Sequence, residues 1–300
     1  MNYKYLLIDS YDEGAIVRIT LNRPAARNAQ NRGLLEDLAH AFAAAEKDDK
    51  VRVVILAGAG PIFSGGHDLG SDEQKTETNP GPQQLESFRT NGAARQAAEK
   101  RSLQEWHYFF QNTLRWRNLR KITIAQAHGK VISAGLMLMW SCDLIVAADD
   151  TLFSDVVGTR LGMCGMEYFA HPWEFGPRKA KELMLTSDAI DADEAYRLGM
   201  VSKVYPKDQL AEKTLTFARR IAVVPTMAAL MIKESVNQTV DNMGFYNALN
   251  ASFTLHQVNH AHWAELHATR GENPHPCATP EDGVPDWRNP PPTQISRKDS

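Results

Sequence analysis

Apolar and polar residues alternate in two short runs near the start of the chain, Tyr5 to Asp9 and Ala15 to Leu21, on either side of Asp12-Glu13-Gly14. Period-two alternation around a turn-forming triplet predicts a β-hairpin. After Asn22-Arg23-Pro24 the spacing lengthens, and Leu34, Leu35, Leu38, Ala41, Phe42 and Ala45 fall on one helical face. The β-branched run Val51 to Leu56 then predicts a buried strand, as do the shorter apolar runs Ile122 to Gln126 and Leu144 to Ala148. From Gly176 onward strands nearly vanish from the pattern. Arg178 to Leu185, Ala192 to Leu198, Gln209 to Val223, Thr226 to Val240 and Phe245 to His267 each carry an apolar helical face, with breaks at Pro225 and Gly244. Two stretches are polar and rich in breakers: Gly70 to Gln84, with Asn79-Pro80-Gly81-Pro82, and everything beyond Gly271, with Pro290-Pro291-Pro292. The first reads as a loop and the second as a tail. Alternating strands and helices imply a layered α/β core. The chain divides into a core over residues 1–200, a helical region over 201–270 and a Pro-rich tail over 271–300, with no internal repeat.

Composition narrows the function classes. The 300 residues are 43% hydrophobic and 23% charged with a net charge of -3, which describes a globular chain with no basic stripe for nucleic acid. Cys142, Cys164 and Cys277 lie far apart without CxxC spacing, so neither a disulfide framework nor a zinc ribbon is expected. A reducing cytoplasm is the simplest compartment. Met1 to Ser10 lacks the features of a signal or transit peptide. No apolar run approaches about 18 residues, so no membrane span is expected.

Two segments carry the candidate chemistry. Phe63-Ser64-Gly65-Gly66-His67-Asp68-Leu69 follows a predicted strand, and Gly129-Lys130-Val131-Ile132-Ser133-Ala134-Gly135 precedes the apolar run Leu136 to Trp140, which suits a buried helix. Small residues there expose backbone N–H groups and let a carbonyl approach closely. Two converging donors would make an oxyanion hole, worth roughly 3 to 4 kcal/mol per donor in a dry site.

With Leu21-Asn22-Arg23-Pro24, Asn28-Ala29, His128-Gly129 through Cys142-Asp143-Leu144, Arg178 to Leu185 and Ala192 to Val201, these segments resemble the crotonase, or enoyl-CoA hydratase/isomerase, superfamily from roughly Tyr5 to Leu266. The resemblance implies a spiral of ββα turns with a C-terminal helical trimerisation region. It further implies an acyl-CoA thioester ligand, no cofactor beyond that coenzyme A, a homotrimer or hexamer, and an enolate held by two backbone donors. Matched residue by residue, the donors would be Gly65 and Ala134, the latter at a helix N-terminus. Ser64, His67 and Asp68 would pass beside the adenine, and Arg23 and Arg27 would lie near the phosphates.

The family's hydratases carry two catalytic glutamates. Here the first position is Met137 and the second is Val157 or Gly158, and none of these can move a proton. Met137 and Val157 are read instead as lining the acyl pocket. Glu167, among apolar and aromatic neighbours, falls where other members of the superfamily place a single carboxylate. It is the leading candidate for proton transfer, or for a carboxylate nucleophile. Asp155 is a second candidate, against a capping role, and Asp68 a weaker one that more simply ends its loop. His67 is read as flanking the nucleotide, with general-base catalysis as the alternative. His128 and Ser133 are read as structural. His256 and His260 sit at i and i+4 on a histidine-rich helix, but a metal site needs further ligands that the sequence does not place nearby, so no metal is expected. The aromatic, Arg-containing stretch around Trp106, Tyr108, Phe109, Phe110 and Trp116 is read as helix packing rather than nucleic-acid stacking.

Three functions remain open: a hydratase/isomerase-type enzyme, a hydrolase or dehalogenase-like enzyme using Glu167, and a non-catalytic acyl-CoA-binding or assembly protein.

Overall fold

The computed structural model describes residues 3–73 and 102–268. Most of the loop expected over residues 70–84, the tail, Arg101 and Cys277 lie outside them. Strand β1 (Leu6–Tyr11) pairs antiparallel with β2 (Ile16–Leu21) across a 3-10 turn at Asp12–Gly14, the predicted hairpin. Helix α1 (Arg32–Lys47) is capped by Asn31, whose side chain accepts the Leu34 N–H. Parallel strands β3 (Val53–Gly58), β4 (Ile122–Ala127), β6 (Leu144–Ala148) and β9 (Lys203–Tyr205) extend the sheet in the order β1-β2-β3-β4-β6-β9. A π-helical stretch, Glu105–Gln111, runs into α2 (Asn112–Arg117) ahead of β4.

Between the long strands the chain makes excursions into a second sheet of β5 (Lys130–Ile132), β7 (Leu152–Ser154) and β8 (Ala189–Asp191). Helix α3 (Ala134–Trp140) follows β5. Helices α4 (Val157–Leu161), α5 (His171–Phe175) and α6 (Pro177–Thr186) lie between β7 and β8, and α7 (Ala192–Leu198) leads to β9. Single bridges Gln30↔His67 and Ser64↔Val131 continue the same layering through the earlier turns. The result is the expected spiral of ββα turns. It is followed by α8 (Leu210–Ala222), α9 (Thr226–Asn242) and α10 (Phe245–Ala268).

Period-two alternation explains how one sheet serves two cores. Val54, Leu56, Ala125, Ala127, Ile145 and Ala147 point into the main core with α1 and α3, whereas Val53, Ile55, Ile124, Val146 and Ala148 point to α8 through Leu210 and Ala218. The reading that strands nearly cease after Gly176 is corrected by β8 and β9. Each is three residues long and docks on strands already formed, which leaves no periodicity of its own to read.

Candidate active site

The site forms where the loop after β3 passes β5 and the start of α3. Ile132 N–H donates to Ser64 O, and Gln30 ties the two loops by accepting Asp68 N–H at its carbonyl and donating its side-chain amide to Ala134 O at 2.8 Å. Buried Asn28 holds the same corner, its side chain bonding Arg23 N–H and the carbonyls of Ala59, Ile62 and Phe63. The approach is so close that only glycine fits. A Cβ on Gly66, at φ +93°, would stand 2.9 Å from Ile132 O and 3.3 Å from Ala134 N.

This geometry corrects one expected donor. Gly65 N–H is already committed to Arg27 O at 2.8 Å, and Gly66 N–H faces Ser64 Oγ at 3.3 Å. The backbone N–H groups of His67 and Ala134 make no hydrogen bond among the described residues. Ala134 opens α3, where no intrahelical acceptor exists, and follows Ser133 in a strained conformation at φ 47°. The pair of free amides facing this corner is therefore His67 and Ala134.

Glu167 is fully buried, and its Oε2 lies 3.0 Å from His67 Nε2. Burial pushes this carboxyl upward, but His67 and His256 outweigh it and the net shift is down. The His67 ring lies against Phe109, tilted by 30°, with 3.7 Å between centroids. His67 is thus drawn toward Glu167.

Several expected ligand contacts are also corrected. The Arg23 guanidinium, buried, is spent on Asp68, Glu73, Ser71 and the Ala29 carbonyl. Asp68 in turn accepts from Gly70 N–H, Ser71 N–H and the Ser71 hydroxyl. Ser64 is fully buried and donates to Asn28 O. None of these three side chains is free for a coenzyme. Arg27, by contrast, is exposed and its guanidinium makes no ion pair among the described residues.

Asp155 is not a free acid. One oxygen lies 2.9 Å from His171 Nε2 and the other accepts Val157 N–H, with Asp155 and His171 both buried. Met137 and Val157 are buried in the main core. His128 Nε2 donates to Gly60 O, a structural contact. His256 and His260 are buried, at 5% and 8% exposed, and meet Glu105 and Glu167. Sequence reasoning missed Glu105, whose acidic side chain in an aromatic-rich stretch gave the only hint.

Comparison with known proteins agrees with this architecture. Residues 12–265 match the family described as Enoyl-CoA hydratase/isomerase. The chain is 64% identical over 286 residues, 95% of this chain and 89% of the relative, to EchA13 of Mycobacterium tuberculosis (strain ATCC 25618 / H37Rv), provisionally named an enoyl-CoA hydratase. It is 26% identical over 266 residues, 87% of this chain and 88% of the relative, to 4-chlorobenzoyl coenzyme A dehalogenase-2 of Arthrobacter sp. A crystal structure of a probable enoyl-CoA hydratase from Mycobacterium smegmatis superposes with a TM-score of 0.78 at 40% identity, covering 92% of this chain and all of the other. A continuous family match and a shared fold over nine-tenths of the chain place this protein in the enoyl-CoA hydratase/isomerase family.

Proposed function

We propose that this enzyme polarises the carbonyl of an acyl-CoA thioester against the N–H groups of His67 and Ala134 and moves a proton with Glu167. The observation that carries the reading is the His67–Glu167 contact at 3.0 Å, directly beside the two uncommitted amides. Electron density drawn onto the carbonyl oxygen acidifies the α-carbon. Glu167 then takes that proton, leaving an enolate whose negative oxygen is held by the two donors. Return of the proton to the γ-carbon of an enoyl chain completes an isomerisation. In a hydration Glu167 instead takes a proton from water as its oxygen bonds the β-carbon of the enoyl thioester, and returns that proton to the α-carbon of the enolate so formed. His67 holds the carboxylate in one orientation through Oε2. Met137 and Val157 offer no second acid, so a single carboxylate has to serve each transfer.

Exposed Arg27 is the side chain suited to a coenzyme phosphate. The exposed apolar residues of α9, Met227, Met231, Ile232 and Val236, support assembly as a homotrimer or hexamer. Free Cys142 and Cys164 are in keeping with a cytoplasmic setting.

A second reading is hydrolytic. Glu167, oriented by His67, would attack an activated aryl carbon, expelling halide and forming an aryl ester, or the acyl carbon, expelling the coenzyme A thiolate and forming an anhydride, and water would then cleave either; the 26% identical dehalogenase gives this reading its support. Incubation with enoyl and aryl thioesters in oxygen-labelled water separates the two. Label in a β-hydroxyl means hydration, label in a released acid or phenol means hydrolytic chemistry, and rearrangement without label means isomerisation. A thioester that binds tightly and returns unchanged from every incubation would leave a binding protein.

A further inference from the structure

Three buried side chains converge behind Glu167 without a part in the chemistry above. Glu105 begins the π-helical stretch, and His256 and His260 stand one turn apart on α10. π-Helical turns are frequent at functional sites. His260 Nε2 lies 3.0 Å from Glu105 Oε1, and His256 Nε2 lies 3.6 Å from both Glu105 Oε2 and Glu167 Oε1. One ligating atom from each of Glu105, His256 and His260 falls within 4.8 Å of the other two.

The tautomer of His256 makes this grouping informative. Its Nδ1 is 2.7 Å from the Gly165 carbonyl oxygen, which can only accept, so Nδ1 carries a proton. Nε2 is then the atom aimed at two carboxylates. It is buried, has no hydrogen-bond partner, and stands beyond hydrogen-bond reach of either acid. Two carboxylates facing Nε2 call for positive charge at that point, which a proton on Nε2 or a metal cation in its place would supply. A histidine that donates its other ring N–H to a backbone carbonyl is the usual support of a metal ligand. Glu105 has matching support, since Gln257 donates its side-chain amide to Oε2 at 2.7 Å. Ligand atoms about 2.1 Å from a common tetrahedral ion lie roughly 3.4 Å apart, in line with the 3.0 and 3.6 Å separations here.

We propose that Glu105, His256 and His260 bind one divalent transition-metal cation of the zinc class. Two imidazoles and carboxylate oxygens without a thiolate favour such an ion over Ca²⁺ or Cu(I). The ion would pin α10 to the π-helical stretch. This proposal stands independently of the proton-transfer role of Glu167.

The test uses full-length protein freed of any histidine tag, stripped with a chelator and titrated with Co²⁺ and then Zn²⁺. Visible absorption bands of coordinated Co²⁺ saturating at about one equivalent, displaced by Zn²⁺, are expected. His260→Gln and Glu105→Gln should weaken uptake by more than about tenfold, the scale already reached when supporting groups alone are lost. Absence of saturable Co²⁺ bands in the wild-type protein would overturn the site, and so would uptake unchanged in both variants. Circular dichroism shows which variants fold. Should neither fold, the wild-type titration decides alone, because its outcome does not depend on them.

Discussion

Replacing Asp68 by alanine distinguishes a loop clamp from a coenzyme contact. Asp68 holds one end of Arg23 at 2.9 Å and also accepts Gly70 N–H, Ser71 N–H and the Ser71 hydroxyl. Removing one partner of a buried ion pair costs about 3 to 5 kcal/mol when the other charge is stranded. Here Arg23 keeps Glu73 at 2.7 Å and Ser71, so the low end applies, about 3 kcal/mol. For a domain of this size that corresponds to a fall of roughly 6 to 12 °C in Tm. Burial alone would raise the Asp68 carboxyl, but Ser71, Arg23 and Gly70 together hold it below the usual carboxylate range. The unfolded chain therefore binds the proton first, and the contribution is complete above about pH 4 and fades as pH falls through the folded value. Urea unfolding of wild type, Asp68→Ala and Asp68→Asn at pH 7 and at pH 3 should show large differences that shrink in acid. A loss below about 1 kcal/mol at pH 7, accompanied by weakened acyl-CoA binding, would refute the clamp and restore the ligand role.

Three further outcomes follow from the geometry. Desolvation pushes the half-buried Glu174 carboxyl up to about 7, so native stability falls as pH rises from about 4.5 toward 7. Glu174→Gln should remove that slope and stabilise the protein above pH 7 by up to about 3 kcal/mol, read by chemical denaturation across pH. Gly66→Ala should cost more than about 2 kcal/mol, about 1 to 2 of it from the left-handed backbone, and should abolish turnover because the methyl crowds Ala134 N. Met231→Asp on the exposed face of α9 should convert an assembled protein to monomers in light scattering while leaving the fold intact by circular dichroism.

What the sequence made legible followed strong local signals. The hairpin, α1, β3, β4, β6 and the five C-terminal helices each have either a clean period or a firm stop at Pro or Gly, and the structure places them within a few residues. Strands β5, β7, β8 and β9 are too short to carry a period, and their pairing is set by neighbours. The glycine-rich corner was visible, but which amide stays free was not. That depends on Arg27 O reaching back to Gly65 N–H, a contact made possible by the left-handed turn at Arg27 and Asn28. Arg23, Ser64 and Asp68 looked like ligand contacts because charge and hydroxyl are visible in a sequence while burial is not. Asp155 found His171 sixteen residues away, and Glu105 met His256 and His260 more than 150 residues away. Such pairings are tertiary facts with no local signature.

The central claim is that Glu167 moves the proton. It is tested most directly by incubating enoyl-CoA thioesters in deuterated water with the wild-type protein and with Glu167→Gln, and following mass increase of the thioester. The wild type should incorporate deuterium at carbon, and the variant, folded and still binding thioester, should exchange more than about a hundredfold more slowly. Equal exchange by both proteins would contradict the assignment, and no exchange by the wild type with any thioester it binds would contradict enolate chemistry altogether.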